Sequence, residues 1–421
     1  MIPNVLDLHG DKQTQTKILI DKVKFWAEKY VQPHIAKHWE AASFPPTILQ
    51  SFRQKCPELL GLFIPKKYGG AGLDLLTSYI IVATLASVDS SVATTIMVQY
   101  GLCAESILLC GTEQQRRFFL PNLSQLTWMG CFCLTEPQSG SDASDLKTIA
   151  VKVTKKDPNS GKEKNGYVIT GSKRWIGNAL TSEVFVVWAR NTSLPKNPVM
   201  GFIVQRSQQQ YSNSIITKKI EGKISMRILQ NADVEFHEAW CPDENVMHEN
   251  VGFSKSVGRV LESSRVSVAW MPVGISMGAL SHTLEFVKKR IAFNAPLSAN
   301  QLVQEKLSRM AAMTSSIYLL AERVTKDFVA GKCGLPAIAM AKAHNSFVGR
   351  QIVSLAREIL GGNGIVLDFQ IASKFADMES VYTYEGTYDI NALICGRALT
   401  GVSAIKSAVS VKNEYASKSR L

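Results

Sequence analysis

The chain has 421 residues and a formal net charge of +12, and 46% of its residues are hydrophobic. This composition predicts a large folded core and excludes a disordered chain. The basic residues are scattered, so a nucleic-acid partner is remote, whereas a polyanionic small molecule could use a few of them. No apolar run approaches the roughly 20 residues of a membrane span, and "VSVAWMPVGISMGAL" is predicted to be one buried helix.

Helical periodicity fills the first third of the chain. Apolar residues repeat at helical spacing from Leu19 to Tyr30, and Pro33 bends or ends that helix. Between Gly130 and Cys241 the residues alternate as in strands, and "TIAVKVTKKDPNSGKEKNGYVITGSKRW" predicts a hairpin. Helical periodicity then returns, and "SFVGRQIVSLAREILGGNGI" predicts a long helix stopped by glycines. We therefore expect an α+β, mainly helical fold with three domains, residues 1–128, 129–245 and 246–413, and a flexible tail, residues 414–421.

Three motifs could contact a ligand, and each also has a purely structural explanation. In "FCLTEPQSGSDAS", Thr135 and Ser141 offer hydroxyls that suit phosphate or the polar edge of a ring, or they belong to a tight turn. In "GSKRWIGNA", Trp175 covers a flat cofactor or fills the core. The "GGNG" that begins at Gly361 fits a helix C-cap first and a nucleotide contact second, and it is not a Rossmann motif.

One carboxylate stands alone in "VYTYEGTYDIN". Glu385 lies among Tyr382, Tyr384 and Tyr388, and the stretch contains no Arg or Lys. A carboxyl in such semi-apolar surroundings would have a raised pKa and would accept a proton readily. A solvated acid is the simpler alternative.

The cysteines and the chain ends predict a compartment. No CxxC pair and no Cys/His cluster with zinc spacing occurs among the eight cysteines, which predicts free thiols, a reducing setting and no metal. The start of the chain lacks the features of a signal or transit peptide. Its last three residues, Ser419, Arg420 and Leu421, are similar to the Ser-Lys-Leu signal that a peroxisomal import receptor reads.

Taken in order, "LTEPQSGSD", "GSKRWI", "FNAPLSANQLVQEKL", "LGGNGI" and "YEGTYDIN" resemble the motifs of the acyl-CoA dehydrogenase and oxidase family of flavoproteins. The resemblance runs from about Trp26 to Ser403. It implies an N-terminal helical domain, a middle β-barrel or sandwich domain and a C-terminal helical bundle. It also implies FAD as cofactor, an acyl-CoA substrate, and a homodimer or homotetramer.

The resemblance assigns the flavin site residue by residue. Arg290 and Gln301 share the spacing of the family's Arg and Gln that reach the FAD of a neighbouring subunit. Trp175 resembles the indole beside the isoalloxazine ring. The residues expected to bind FAD are Thr135, Ser141, Trp175, Ile176, Gly177, Arg290, Gln301, Glu358, Ile359, Leu360, Gly361, Gly362 and Thr387.

The resemblance also explains the isolated carboxylate. Glu385 is similar to the family's general base, which removes the α-proton of the acyl-CoA thioester while the β-hydride passes to the flavin. Its backbone N–H resembles a donor to the thioester carbonyl, and Gly386 leaves room for that approach. Ser141, Arg265 and Gly386 are expected to contact the substrate, although a surface salt bridge is an equal alternative for Arg265.

Within the family, the chain looks most like glutaryl-CoA dehydrogenase and the short-chain acyl-CoA oxidase of peroxisomes. Ala93 stands where glutaryl enzymes carry an Arg for the distal carboxylate, which argues against glutaryl-CoA. Gly177 replaces a Thr near flavin N5, so it is expected to alter hydrogen bonding there or to open space for oxygen. Asn294 replaces a Gly and puts the local turn in doubt.

These observations predict a peroxisomal short-chain acyl-CoA oxidase of fatty-acid β-oxidation, which passes electrons to O₂ and forms H₂O₂. The first alternative is an acyl-CoA dehydrogenase that uses electron-transfer flavoprotein, including a glutaryl-CoA dehydrogenase-like enzyme. A non-catalytic acyl-CoA-binding protein on the same fold is a further alternative.

Overall fold

Helices occupy both ends of the chain and strands its middle in the computed structural model, which describes residues 14–156, 161 and 163–402. This order confirms the predicted fold class. The signal-like tail, Ser419 to Leu421, lies outside the described residues. The N-terminal helices are α1 (Thr14–Tyr30), α2 (Ile35–Glu40), α3 (Thr47–Lys55), α4 (Leu75–Val88), α5 (Ser90–Met97), α6 (Glu105–Cys110) and α7 (Glu113–Ser124).

One long helical stretch crosses the N-terminal core. A π-helix, Val98–Ala104, joins α5 to α6, so the stretch runs from Ser90 to Cys110. Its 21 residues are apolar enough, by length and composition alone, to cross a membrane, which corrects the expectation that no run reaches that length. Because 83% of its apolar window is buried inside the protein, the stretch has the packing of a core helix.

In the described residues the middle of the chain forms a seven-stranded sheet in the order β1-β4-β2-β3-β7-β6, and β5 pairs with β4 off this path. The predicted hairpin is the antiparallel β2–β3 pair, in which Ile149 faces Thr170. The β3–β7 register shifts between Lys173 and Ile176. This shift is a β-bulge, which changes the direction of the side chains at the end of β3. The strands are β1 (Gly130–Cys133), β2 (Ile149–Lys156), β3 (Glu163–Gly177), β4 (Val184–Asn191), β5 (Val199–Gln205), β6 (Ile215–Lys219) and β7 (Asn231–Pro242).

The C-terminal half is a helical bundle in which α11 packs against five other helices of the described chain. The stretch "VSVAWMPVGISMGAL" is two helices rather than the single one predicted, because α8 ends at Val268 and Pro272 lies in the first turn of α9, where its missing N–H costs nothing. The predicted long helix α11 does end at the glycines, with Gly361 at φ 58°. The elements are α8 (Val257–Val268), α9 (Met271–Lys289), β8 (Ile291–Ala292), β9 (Ala295–Pro296), α10 (Gln301–Val329), α11 (Leu335–Leu360), α12 (Ile371–Thr383) and α13 (Tyr388–Thr400).

Candidate active site

A tight loop between α12 and α13 presents Glu385. Its φ is 55° and that of Gly386 is 86°, so two consecutive residues adopt the left-handed region. Position 386 requires glycine, because an added Cβ would lie 2.9 Å from Asn391 Nδ2. Asn391 Nδ2 donates to the carbonyls of Gly386 at 2.8 Å and Thr387 at 3.1 Å, and the Thr387 hydroxyl caps α13. Strain of this kind is held by surrounding contacts and is frequent at functional sites.

Three side chains from other helices surround the Glu385 loop. The Ser264 hydroxyl of α8 donates to Glu385 Oε2 at 3.0 Å, and Arg265 Nε donates to the Glu385 carbonyl at 3.2 Å. Lys342 Nζ of α11 donates to the Gly386 carbonyl at 2.6 Å. Neither Ser264 nor Lys342 was predicted from the sequence. Only the position of Ser264 beside Arg265 could have indicated it.

Opposing effects set the proton affinity of Glu385. Burial raises the pKa of its carboxyl, and the Arg265 charge, the Ser264 hydrogen bond and the Lys342 charge partly offset that rise. Burial also lowers the pKa of Lys342 to about 7. The carboxyl is therefore a stronger base than a solvated glutamate, as the surrounding tyrosines predicted, and it can accept a proton from a weak carbon acid.

Arg265 is half-buried and holds the backbone of the Glu385 loop. This contact replaces the surface salt bridge that was the equal alternative. The Arg265 guanidinium therefore lies beside Glu385, and its expected contact with the substrate stays a prediction.

A buried ion pair fixes the hydroxyl-rich loop that follows β1. The Glu136 carboxylate accepts from Lys173 Nζ at 2.9 Å and from the backbone and hydroxyl of Thr148 at 2.9 and 2.6 Å. The Arg174 N–H donates to the Thr135 carbonyl at 2.8 Å. Glu136 and Lys173 lie within the quoted motifs, but the sequence analysis did not identify them because charged residues are usually exposed.

Thr135, Ser141 and Trp175 form a first group of predicted cofactor residues, at the loop after β1 and the end of β3. Ser141 and Trp175 are accessible. Ser141 is exposed, and Trp175, with φ 66°, exposes 51% of its side chain at the bulge in β3. The core alternative for Trp175 is therefore wrong. The Arg174 guanidinium lies 5.0 Å from the centre of the indole ring. An accessible indole beside a loop of backbone amides and hydroxyls fits a flat ring that carries phosphate.

Ile176 and Gly177 turn inward from the bulge and are buried. A Cβ at Gly177 would lie 3.2 Å from Val98 Cγ2 of the π-helix. Val98 therefore packs closely against Gly177.

The remaining predicted cofactor residues form a second group at the far end of the bundle. Arg290, Gln301 and the Glu358 side chain are exposed there, and a Glu358–Lys306 ion pair joins α11 to α10. Gly361 and Gly362 have open space around them, whereas Ile359 and Leu360 are buried.

The second group lies far from the Glu385 loop within one chain. Lys342, which contacts the Glu385 loop, precedes Glu358 on α11 by about 24 Å of helix at 1.5 Å per residue. Thr387 lies in the Glu385 loop and not with Gly361 and Gly362. The predicted cofactor residues therefore do not all lie together within one chain.

The helix–sheet–helix fold carries a half-buried carboxyl with a raised pKa on a strained loop, an arrangement that suits an enzyme which removes a proton from its substrate. The family models described as Acyl-CoA dehydrogenase N-terminal, middle and C-terminal domain match residues 13–126, 131–239 and 250–400. The chain therefore belongs to the acyl-CoA dehydrogenase family.

Individual proteins that are similar to this chain have names from the same family. An acyl-CoA dehydrogenase of Bacillus subtilis (strain 168) is 28% identical over 92% of this chain and 99% of its own length. The short-chain-specific acyl-CoA dehydrogenase of Megasphaera elsdenii is 30% identical over 81% and 87%. A glutaryl-CoA dehydrogenase from Mycobacterium smegmatis, solved with FADH₂, superposes with a TM-score of 0.86 at 26% identity and covers 96% and 99%. The expectation of FAD is confirmed for the family.

Proposed function

We propose that the protein is an FAD-dependent acyl-CoA dehydrogenase that converts an acyl-CoA to the trans-2-enoyl-CoA. The observation that carries this proposal is Glu385, a half-buried carboxyl with a raised pKa on a strained loop. The curated relatives named above are acyl-CoA dehydrogenases, which supports the same activity.

The residues of this chain handle the proton and the developing charge. Glu385 takes the α-proton, and the Ser264 hydrogen bond holds its carboxylate in position. The Glu385 N–H donates to the thioester carbonyl, where negative charge develops as the proton leaves. Lys342 and Asn391 fix the Gly386 carbonyl and so keep the loop in its strained shape. Bound FAD would supply the acceptor for the β-hydride.

The cofactor is held by residues of two subunits in this proposal. Thr135, Ser141 and Trp175 contact the flavin from one chain, and Arg290 with Gly362 reaches it from a neighbour. Exposed apolar side chains near that second group support a homodimer or homotetramer, because surfaces of this kind mark interfaces. They are Phe293 (99% exposed), Leu302 (72%) and Ile365 (71%).

The proposed substrate has no distal carboxylate. The Mycobacterium smegmatis protein is named for glutaryl-CoA. Here Ala93 is fully buried in α5 and supplies no cation. A buried free carboxylate without a partner is costly, so a plain short acyl chain fits better.

The activity is tested by flavin bleaching without oxygen. FAD-loaded protein is mixed with butyryl-, hexanoyl- and dodecanoyl-CoA, and the loss of the flavin's yellow absorbance and the enoyl-CoA product are followed. Bleaching with a stoichiometric enoyl product supports the proposal. A flavin that stays oxidised with every chain contradicts it and favours the non-catalytic acyl-CoA-binding alternative.

Two candidate functions, a dehydrogenase and an oxidase, differ in their electron acceptor. Electron-transfer flavoprotein is the acceptor that we propose first, because the similar proteins are named dehydrogenases. The second candidate is a peroxisomal oxidase that passes electrons to O₂, and the tail Ser419-Arg420-Leu421 favours it. The reduced protein is placed in air with no other acceptor, and beside it with electron-transfer flavoprotein. Rapid peroxide release supports the oxidase and import into peroxisomes, whereas reoxidation only by the flavoprotein supports the dehydrogenase.

A further inference from the structure

A buried polar cluster lies beside the base and has no role in the steps above. It consists of Tyr79 on α4, Glu105 at the start of α6 and Ser263 on α8, and Tyr79 and Glu105 expose 2% and 4% of their surface. The Ser263 hydroxyl donates to Glu105 Oε1 at 2.5 Å. The next residue of α8, Ser264, donates to Glu385. Two consecutive serines therefore bind two neighbouring carboxyl groups.

The Tyr79 hydroxyl and the Glu105 carboxyl can form more hydrogen bonds than the described residues provide. The Tyr79 hydroxyl is buried near Ser263 and Glu105, yet it makes no hydrogen bond of ordinary geometry with a described residue. Ser263 is the one donor to the Glu105 carboxyl in the described part of the chain, and no cation there is among the groups that shift its pKa. Buried polar groups are nearly always bonded, so this cluster calls for a polar group from a ligand or for an ordered water.

The protonation state of Glu105 determines which functional group of a ligand could bind to the cluster. Burial, together with the nearby Glu385 charge, raises the pKa of Glu105 to about 8. At neutral pH its carboxyl is therefore protonated and can donate a hydrogen bond, and the Tyr79 hydroxyl can both donate and accept. A ligand hydroxyl matches this set. A ligand carboxylate would add negative charge beside Glu385 and is disfavoured.

The position of the cluster fixes which part of a ligand reaches it. Glu385 must contact the α-carbon of the acyl group, and the cluster adjoins it through the Ser263–Ser264 step of α8. We propose that Tyr79, Glu105 and Ser263 form a polar subsite for a hydroxyl carried by the acyl chain, beyond its reacting carbons. This inference rests on the proposed acyl-CoA activity and adds a substrate class to it, the hydroxyacyl-CoA thioesters.

Binding to protein that cannot turn over tests the subsite. In a Glu385→Gln background, calorimetry compares ω-hydroxybutyryl-, ω-hydroxypentanoyl- and ω-hydroxyhexanoyl-CoA with the unsubstituted thioesters. One hydroxyacyl chain is expected to bind about tenfold more tightly than its plain counterpart, which is the value of one good hydrogen bond. Tyr79→Phe and Glu105→Leu are each expected to bring that ratio close to one while plain chains still bind.

A matched control is Tyr100→Phe. Tyr100 is also buried, but its hydroxyl donates to the Ser124 carbonyl, away from the cluster. This variant is expected to keep the tenfold preference. Tyr79→Phe loses one oxygen only, so it reports on the subsite even if Glu105→Leu does not fold.

Two results overturn the inference and leave the proposed function intact. Equal affinity for hydroxylated and plain chains means that water fills the cluster, and a preference that survives both substitutions means that the hydroxyl binds elsewhere. If no acyl-CoA of either kind bleaches the flavin of the unsubstituted protein, the proposed function and the subsite both fail.

Discussion

At the scale of single residues, the chemistry depends on how neighbours adjust one carboxyl. The sequence could locate Glu385, because an acid without a nearby cation in an apolar stretch is unusual. It could not locate Ser264 or Lys342, which reach the loop from α8 and α11 and look like ordinary helix residues. Contacts between residues so distant in the chain depend on packing, which local pattern does not encode.

Removal of the Ser264 hydroxyl is predicted to raise the pKa of Glu385 further. The hydroxyl stabilises the ionised carboxylate, so Ser264→Ala shifts the acid limb of the pH profile of flavin reduction upward by about one pH unit. Stopped-flow reduction without oxygen measures the shift. Ser267→Ala is the control, because that hydroxyl donates only to a helix carbonyl. An unshifted profile in Ser264→Ala contradicts this account of the base.

The raised pKa of Glu105 predicts a pH dependence of stability. Its value is 4.5 when solvated and about 8 in the folded protein, so the folded state binds more protons between these values. The contribution of Glu105 to the free energy of unfolding therefore falls as pH rises from about 4.5 to 8. The side chain of the Glu105→Gln variant does not ionise. The variant should therefore gain stability relative to the unsubstituted protein as pH rises over that range. Urea unfolding across pH measures it, and a constant difference rules out the shifted pKa.

At the scale of elements, the loop after β1 is held by a buried pair that joins it to β3. The hairpin and the loop follow from alternating residues and turn residues, and both were predictable. The Glu136–Lys173 pair was not predictable, because its carboxylate and ammonium come from separate motifs and are brought together only when β3 lies beside the loop. Its side chains are 0% and 2% exposed, so neither charge is solvated.

Loss of the Lys173 charge is predicted to destabilise the fold strongly. Lys173→Met leaves Glu136 buried without its cation, and removal of one partner of such a pair costs about 3–5 kcal/mol of unfolding free energy. Lys147→Met removes an exposed ion pair with Asp145 in the same segment and should cost about 0–1 kcal/mol. Urea unfolding of the FAD-loaded proteins compares them, and equal losses contradict the role given to the buried pair.

At the scale of the whole molecule, the order of helices, sheet and helices followed from hydrophobic periodicity. The predictions that were wrong concerned single stretches of the chain. Pro272 starts a helix inside an apolar run, and the Ser90–Cys110 stretch is longer than its apolar residues alone suggested. The distance along α11 between the Glu385 loop and the second group depends on the fold, and no motif spacing could predict it.

The separated groups predict that assembly and cofactor retention are linked. Phe293 is 99% exposed between Arg290 and Gln301. Phe293→Asp should therefore give monomers that retain less FAD, because the second group no longer reaches a neighbour's cofactor. Analytical ultracentrifugation and the flavin-to-protein absorbance ratio measure both effects. Tyr211→Asp, at a 62% exposed side chain of the middle region, is the control. Unsubstituted protein that sediments as an FAD-saturated monomer contradicts the shared site.

The most direct test of the central claim is flavin reduction by butyryl-CoA, without oxygen, in Glu385→Gln. Glu379→Gln is the matched control, since Glu379 lies on α12 just before the loop and forms a half-exposed ion pair with Arg350. We predict that Glu385→Gln slows reduction by at least about 10²-fold, the usual worth of a positioned general base, whereas Glu379→Gln stays close to the unsubstituted rate. A Glu385→Gln protein that bleaches at the unsubstituted rate would show that another group takes the α-proton.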